Sequence, residues 1–530
     1  MKKTRKTYIF NFFLFLCIFI FGSDVFANNL TISNVSLEYR NPSLDTVIVE
    51  FDASWENSWR TKVNHDAIWF TVRLYNPSVT PTNKSLCQAT ASGLNPNGTS
   101  VGSNSGLEIY VPSDKNGLFL RPSSYGVNSS VSSSNIRLTI DYASCGFGDN
   151  DSVYAHVLGI EMVYIPEGAF YVGDYDTSTA ALDQGAADSD PWHITSESAL
   201  GVSNSASNGY RYVSNGHIDE DSTGATFTIP ATFPKGYGDF YAMKYEITEG
   251  QWVEFINSLP SHAARVSHDL TDTSHKNTDT VQFRNTVSCS GTPLICSSSR
   301  PARALSYLSW MDLSAFLDWA ALRPMTELEF EKMARGPVLA EAGEFAWGTT
   351  NIIAATTISG SAEEGTEATT NLGANARYNN LTLTGGDANG TPEYSQGPLR
   401  LGIFATSSTT RETSGAGYYG VMELSGNQRE GGVTIGNATG RGFTGSHGDG
   451  VLSIEAGYEG NADETDWPGI DGIAGRGVTG AAGSGFRGGA WDDQLSGARL
   501  RISDRYDAAN ASTAAYNNAG GRGVRTYEGN

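Results

Sequence analysis

Cysteine is scarce in this chain: five in 530 residues, and none after Cys296. No two have the close spacing of a zinc knuckle, which argues against that class of metal site. The eight histidines include no pair at i, i+3 or i, i+4, so no helix-borne histidine metal motif is present. Basic residues are also few, 35 Lys+Arg against 57 Asp+Glu, for a net charge of −22. Nucleic acid and anionic membranes need basic patches, so neither is an expected partner. Surplus acid suits a solvated extracellular surface, and calcium. Long apolar runs are absent except Tyr8 to Phe21, shorter than the roughly 20 residues of a spanning helix. No fixed-period repeat emerges.

What is present begins at that apolar run. Lys2, Lys3, Arg5 and Lys6 precede it, and Val25-Phe26-Ala27 offers a cleavage site. This is the layout of a secretory signal peptide over residues 1–27, which implies export from a bacterium and no transmembrane segment after cleavage. Cys17 lacks the small preceding residues of a lipoprotein signal. The other four cysteines then suggest disulfides, Cys87 with Cys145 and Cys289 with Cys296 on sequence proximity.

With 60 glycines and 39% hydrophobic residues, two to four domains rich in turns are expected. Residues 28–160 read as an all-β sandwich. Alternating segments at 30–37, 46–52, 67–74 and 136–140 are separated by Asn, Gly, Pro and Ser clusters. The Trp-rich segment 54–60 reads mainly as core packing, with a sugar-stacking surface as the minor reading. From 161 the pattern changes. Thr248 with Gln251 predicts a capped helix, Trp310 to Ala320 a second, and Thr326 with Glu329 caps a third. Residues 350–395 and 434–484 carry few hydrophobics and read as ordered insertions.

Two blocks near the end organise this second unit, Phe486-Arg487-Gly488-Gly489-Ala490-Trp491-Asp492-Asp493 and Gly520-Gly521-Arg522-Gly523-Val524-Arg525. Paired glycines allow close backbone approach. Added to them in order are Val163 to Gly173, Lys244 to Thr248, Arg323 to Gly336, Ala346-Trp347-Gly348 and Gly417 to Glu430. Together these blocks over 161–530 resemble the sulfatase-modifying-factor, or formylglycine-generating-enzyme-like, domain family. The resemblance implies a C-type-lectin-like α+β fold behind the β-sandwich.

Enzymes of that family oxidise a substrate cysteine with copper held by two cysteines. The matching positions here are Asp493 and Ala498, and a carboxylate and a methyl group cannot hold Cu(I). Copper is therefore not expected. An iron site built on three histidines, as in a related branch, lacks candidates, because most histidines fall in insertions. Calcium remains. The resemblance places one ion at Glu423, Gly426, Gln428 and Glu430, and a second at Asn375 and Ala376. Arg429 stands where the family has Trp.

The preferred reading is an exported, non-catalytic binding module, secreted, periplasmic or on the cell surface, with a glycan or surface protein as ligand. Its recognition surface would use Trp491, Asp492, Asp493, Arg499, Arg501, Asp504, Arg505, Tyr506, Asp507, Asn510, Tyr516, Asn517 and Asn518. Rigid aromatics beside adaptable polar groups suit recognition. Set against it, Arg499 and Arg501 alternate with Leu500 and Ile502 as in an ordinary strand with structural ion pairs. Two alternatives remain: a formylglycine-generating oxidase acting on sulfatase cysteine, and a structural component of a cell-surface machine.

Overall fold

Alternation of apolar and polar residues folds the first 140 described residues into two facing sheets. The structure, a computed structural model, describes residues 29–175, 177–185, 189–205, 209–360, 367–495 and 499–529. The expected signal peptide lies outside them. Strand β1 (Thr31–Asn41), β2 (Thr46–Arg60) and β6 (Val127–Asp141) pair antiparallel. In β2 every second residue from Val47 to Trp55 is buried, as the period of a half-covered strand requires. The facing sheet contains β3 (Asp66–Tyr75), β4 (Leu107–Val111) and β5 (Leu118–Pro122). Phe51 and Phe70 meet edge to face at 5.0 Å between the sheets. A disulfide joins Cys87 to Cys145 at the margin of this core.

Strand β3 is buried on both faces, and that fact decides the architecture. Ile68, Phe70, Val72 and Leu74 enter the sandwich core. Ala67 and Trp69 enter the core of the second unit, where the Trp69 indole donates to the Ala320 carbonyl at 3.0 Å. The same sheet continues through β7 (Tyr154–Ile165), β8 (Phe240–Met243), β13 (Gly523–Thr526) and the short β9 (Arg323–Pro324). The expected division at 160/161 therefore falls inside a continuous strand. There β7 keeps β3 along one edge over Tyr154–Val163 and takes β8 along the other over Met162–Ile165. The two units share one sheet.

Three helices pack on that sheet. Two lie on its second face, where Trp252, Phe255, Phe316 and Trp319 share a core with Trp69, Met162 and Tyr241. One lies on the opposite face, where Phe330 and Met333 join Val163, Ile165 and Phe240. Helix α1 (Glu249–Ser258), α2 (Trp310–Trp319) and α3 (Glu327–Arg335) each start in a complete capping box, at Thr248/Gln251, Ser309/Asp312 and Thr326/Glu329. Gly336, at φ +68°, ends α3; a side chain there would meet the Tyr418 ring. A hairpin closed by the Cys289–Cys296 disulfide packs on α1, where the Asn257 amide bonds both chain directions of Cys296. The second insertion lies over α2, with Asp318 accepting from the amides of Asp449 and Asp463. A last sheet, β11 (Ser484–Arg487), β10 (Arg429–Val433) and β12 (Ala519–Gly520), carries the two glycine blocks. Among the described residues no helix is long and apolar enough to cross a membrane.

Candidate functional site

The double-glycine block is clamped to α3 by charge. Glu327 and Glu331 stand one turn apart on the same helix face, the i, i+4 geometry. Arg487 reaches both, at 3.4 and 2.7 Å, and Arg505 bonds Glu327 at 2.6 Å. Arg335 adds a bond to Glu331 at 3.0 Å, and all of these side chains are buried. A buried guanidinium is tolerable only when its charge is paired, so this network fixes how the C-terminal segment lies. Gly488 and Gly489 then turn the chain at φ +87° and +64°. A Cβ on either would come within 2.9 Å of a carbonyl oxygen, of Leu424 and Arg499 respectively.

This arrangement buries four of the thirteen residues expected on a recognition surface. Trp491 is 2% exposed; its indole donates to the Asn517 carbonyl at 3.1 Å and packs against Phe283 at 5.4 Å. Asp493 accepts from the Ala490 amide at 2.9 Å and from Arg499 at 2.8 Å. Asp504 accepts from the amides of Thr179 and Tyr506. Arg505 is the helix clamp just described. These four are corrected to structural roles: Trp491 and Asp493 follow the glycine turn inward, while Asp504 and Arg505 are held by Thr179 and Glu327.

The other nine gather at the surface. The Arg499 guanidinium lies 4.0 Å over the Tyr506 ring and also reaches Asp507 at 3.7 Å. Burial opposes its charge, but the hydrogen bond and charge of Asp493 outweigh this and hold its pKa above the usual range. Arg501 is bonded to the Thr177 carbonyl. Asn510 donates to Asp507, and Asn518 donates to Asp492 at 2.9 Å. Asn517 is half-buried, while Tyr506 and Tyr516 are each 37% exposed. Arg429, which sequence reasoning left out of the surface, is sandwiched between Phe486 and Tyr516 at 4.4 Å each and faces Asp507 at 3.5 Å. Its signal was present in the sequence: a charged residue at a position the family fills with an aromatic.

Beneath this surface, the space enclosed by Arg429, Arg487, Asp493, Arg499 and Asp507 is about 10 Å³. That is the size of one water at most. Copper does not fit the donors here. Both Asp493 oxygens are engaged, Ala498 lies outside the described residues, and Cys289 and Cys296 are bonded to each other. Soft Cu(I) needs thiolates, and the site presents an ion pair.

The calcium positions divide. Glu430 is fully buried and both its oxygens are taken by Arg522, Oε1 at 2.7 Å. It is therefore corrected from metal ligand to counter-ion. Gly426 is a turn residue at φ +89°, donating to the Gly488 carbonyl. At the second expected site the Asn375 side chain bonds Ile353, Asn351 and Glu412, and the Ala376 carbonyl accepts from Ala355. Glu423 and Gln428 differ. Glu423 accepts from Gly402 at 2.7 Å through one oxygen, but Oε2 has no partner, and neither Gln428 side-chain polar atom has one. Glu246, also fully buried, accepts from Asn427 and from the Gln428 amide. Burial and the nearby Glu430 and Glu423 charges push Glu246 well above the carboxylate range, and burial pushes Glu423 to about 7. Uncompensated buried oxygens beside excess negative charge fit a hard cation. Glu246 is the residue that sequence reasoning missed, although it lies inside the Lys244 to Thr248 block, just after the strand Phe240–Met243.

The sulfatase-modifying factor enzyme 1-like domain family matches residues 155–525, well over half of the chain. No curated protein matches it.

Proposed function

This chain belongs to the sulfatase-modifying factor enzyme 1-like domain family, and from that membership we propose that it is an exported, non-catalytic recognition module with a lectin-like C-terminal face. The observation that carries the reading is the filled position beneath that face. Where the oxidases hold copper, an Asp493–Arg499–Asp507 ion-pair set leaves about 10 Å³. Among the described residues that space is too small for a substrate cysteine, and its donors include no thiolate for a metal.

Above it, Tyr506 and Tyr516 offer rigid half-exposed rings, with Arg499, Arg501, Asn510, Asn517 and Asn518 as polar neighbours. That mixture suits a glycan or a surface protein. Export is supported by the basic-apolar start of the sequence and by two disulfides, which persist in oxidising compartments. Calcium, if it binds, is held by Glu246, Glu423 and Gln428; there it would neutralise buried charge and stiffen the turn that carries Gly426.

Two measurements test this reading. Incubated with copper and a sulfatase-motif peptide, the protein should leave the peptide cysteine unchanged by mass; conversion to formylglycine would overturn the non-catalytic reading. In a glycan and envelope-protein binding screen, the Tyr506→Ala/Tyr516→Ala double variant should lose about tenfold or more in affinity for whatever the wild type captures, as two interfacial aromatics warrant. Unchanged capture would remove this face from the argument.

A further inference from the structure

We propose that the cleft between the sandwich and the 405–422 loop is a second binding site, distinct from the C-terminal face, and that its ligand is an acidic saccharide. The cavity holds about 460 Å³, within the range of small-ligand sites and against about 10 Å³ beneath the C-terminal face. Both units build it. The end of β2 contributes Trp59, the following turn contributes Asn64, and the family domain contributes Lys244, Arg411, Tyr418 and Tyr419. The Asn64 amide donates to the Tyr419 carbonyl at 2.7 Å, which fixes the two walls relative to each other.

Trp59 is the feature that points to a sugar. Trp55 of the same strand is buried, with its indole donating to Asp66 at 3.0 Å, whereas Trp59 stays half-exposed at the cleft. Its ring lies against Gly420, where an added Cβ would come to 3.2 Å, and the Lys244 ammonium sits 5.4 Å from its centroid. The edge of the indole thus rests on the loop while the residue stays half-exposed in the lining of the cleft. Tyr418, 39% exposed, is a second ring at the mouth. Between the rings the lining is hydroxyls and amides, with few aliphatics. Sugars present apolar C–H faces bordered by hydroxyls, and aromatic planes beside Thr and Asn match that pattern better than they match a peptide's aliphatic side chains.

Charge selects the acidic class. The chain carries −22, yet the cleft is lined by Lys244 and Arg411 with no Asp or Glu. Lys244 is already paired with Glu161 at 3.2 Å. Arg411 is not paired with any carboxylate among the described residues. Its Nη2 donates to the carbonyls of Ala334 and Ala346, which orients the guanidinium over the Tyr418 ring, and Nη1 makes no protein hydrogen bond among those residues. A uronate carboxylate or a sulfate ester would supply the missing anion.

Titration calorimetry of the purified protein against oligogalacturonate, a chondroitin sulfate tetrasaccharide and neutral cello-oligosaccharide separates the possibilities. Binding of the uronate, the sulfate ester or both, at least about tenfold tighter than the neutral sugar, is expected. Thr406→Trp, at an exposed lining position, should abolish it by filling the cleft while leaving the melting temperature unchanged, and Arg411→Gln should remove the preference for acid. Tyr506→Ala/Tyr516→Ala should leave it intact, because the two sites are separate. Binding of neither acidic sugar at millimolar concentration, equal affinity for the neutral one, or binding indifferent to Thr406→Trp would overturn the proposal.

Discussion

Arg522→Met should destabilise the protein by about 3–5 kcal/mol, as expected when one partner of a buried pair is left behind. Arg522 and Glu430 are both fully buried and joined by two hydrogen bonds. The remaining guanidinium N–H groups reach the carbonyls of Met243, Lys244 and Met422. One side chain thus ties β8, β10 and the loop before β10 together. Glu430→Gln keeps the shape but leaves a buried cation without its anion, and should cost a comparable amount. The Glu430→Gln/Arg522→Met double variant should be far less damaged than the sum of the singles, since removing both charges relieves the desolvation that each single exposes. Chemical denaturation of the four proteins gives the coupling. Additive losses would mean that the pair does not act as a unit, and would reopen Glu430 as a calcium ligand.

Stability should also fall as pH rises from 5 toward 9 in the presence of chelator, and calcium should restore much of it at the alkaline end. Burial, aided at the last two by neighbouring carboxylates, raises Glu423 to about 7, Asp66 to about 6, Asp463 to about 6 and Glu464 to about 7. Unfolded, these groups titrate near 4. Between those values the folded state binds more protons, so folding is favoured at low pH and the advantage disappears as pH rises through 6 to 7. Glu423 alone contributes on the order of 3 kcal/mol across that window. His275 works in the same direction. Burial opposes its charge, but Asp312 and Asp272 outweigh it and raise the group to about 9, so its contribution is lost between 6.5 and 9. His65, depressed to about 2 by burial and by Arg121 and Arg60, opposes this trend only below its unfolded value near 6.5. A cation at Glu246 and Glu423 competes with those protons. Calcium at 100 times its Kd would return about 2.7 kcal/mol at pH 8 and less at pH 5. Thermal melts at both pH values, with calcium and with chelator, read this directly. A melting temperature at pH 8 indifferent to calcium would remove the ion from the proposal, and Glu423→Gln should abolish the response if it is present.

Local signals in the chain were sufficient for the helices. Thr248/Gln251 and Thr326/Glu329 mark the first turns of α1 and α3 because a capping box is satisfied within four residues. The same holds for β2, whose period of two is visible wherever one face meets solvent. The strands of the shared sheet carry no such alternation. β3 is covered on both sides, and the change of pattern at residue 161 falls where β7 takes on β8 along its second edge. Trp491 and Arg505 looked like surface residues for a related reason. Residue type says that a group needs a partner, but only the fold says whether that partner is a ligand, Asn517 or Glu327.

By itself, the sequence determined the set of donors: acids, amides and aromatics at the C-terminal turn with no thiol among them, so those residues offer a metal no thiolate. The tertiary structure alone decided which of those groups remain available, because burial and pairing depend on segments distant in the chain. Arg522 finds Glu430 across 92 residues, and Trp59 meets Gly420 from another unit. Such pairings are enforced by the cost of leaving a buried charge or ring unmatched, and no local pattern records them.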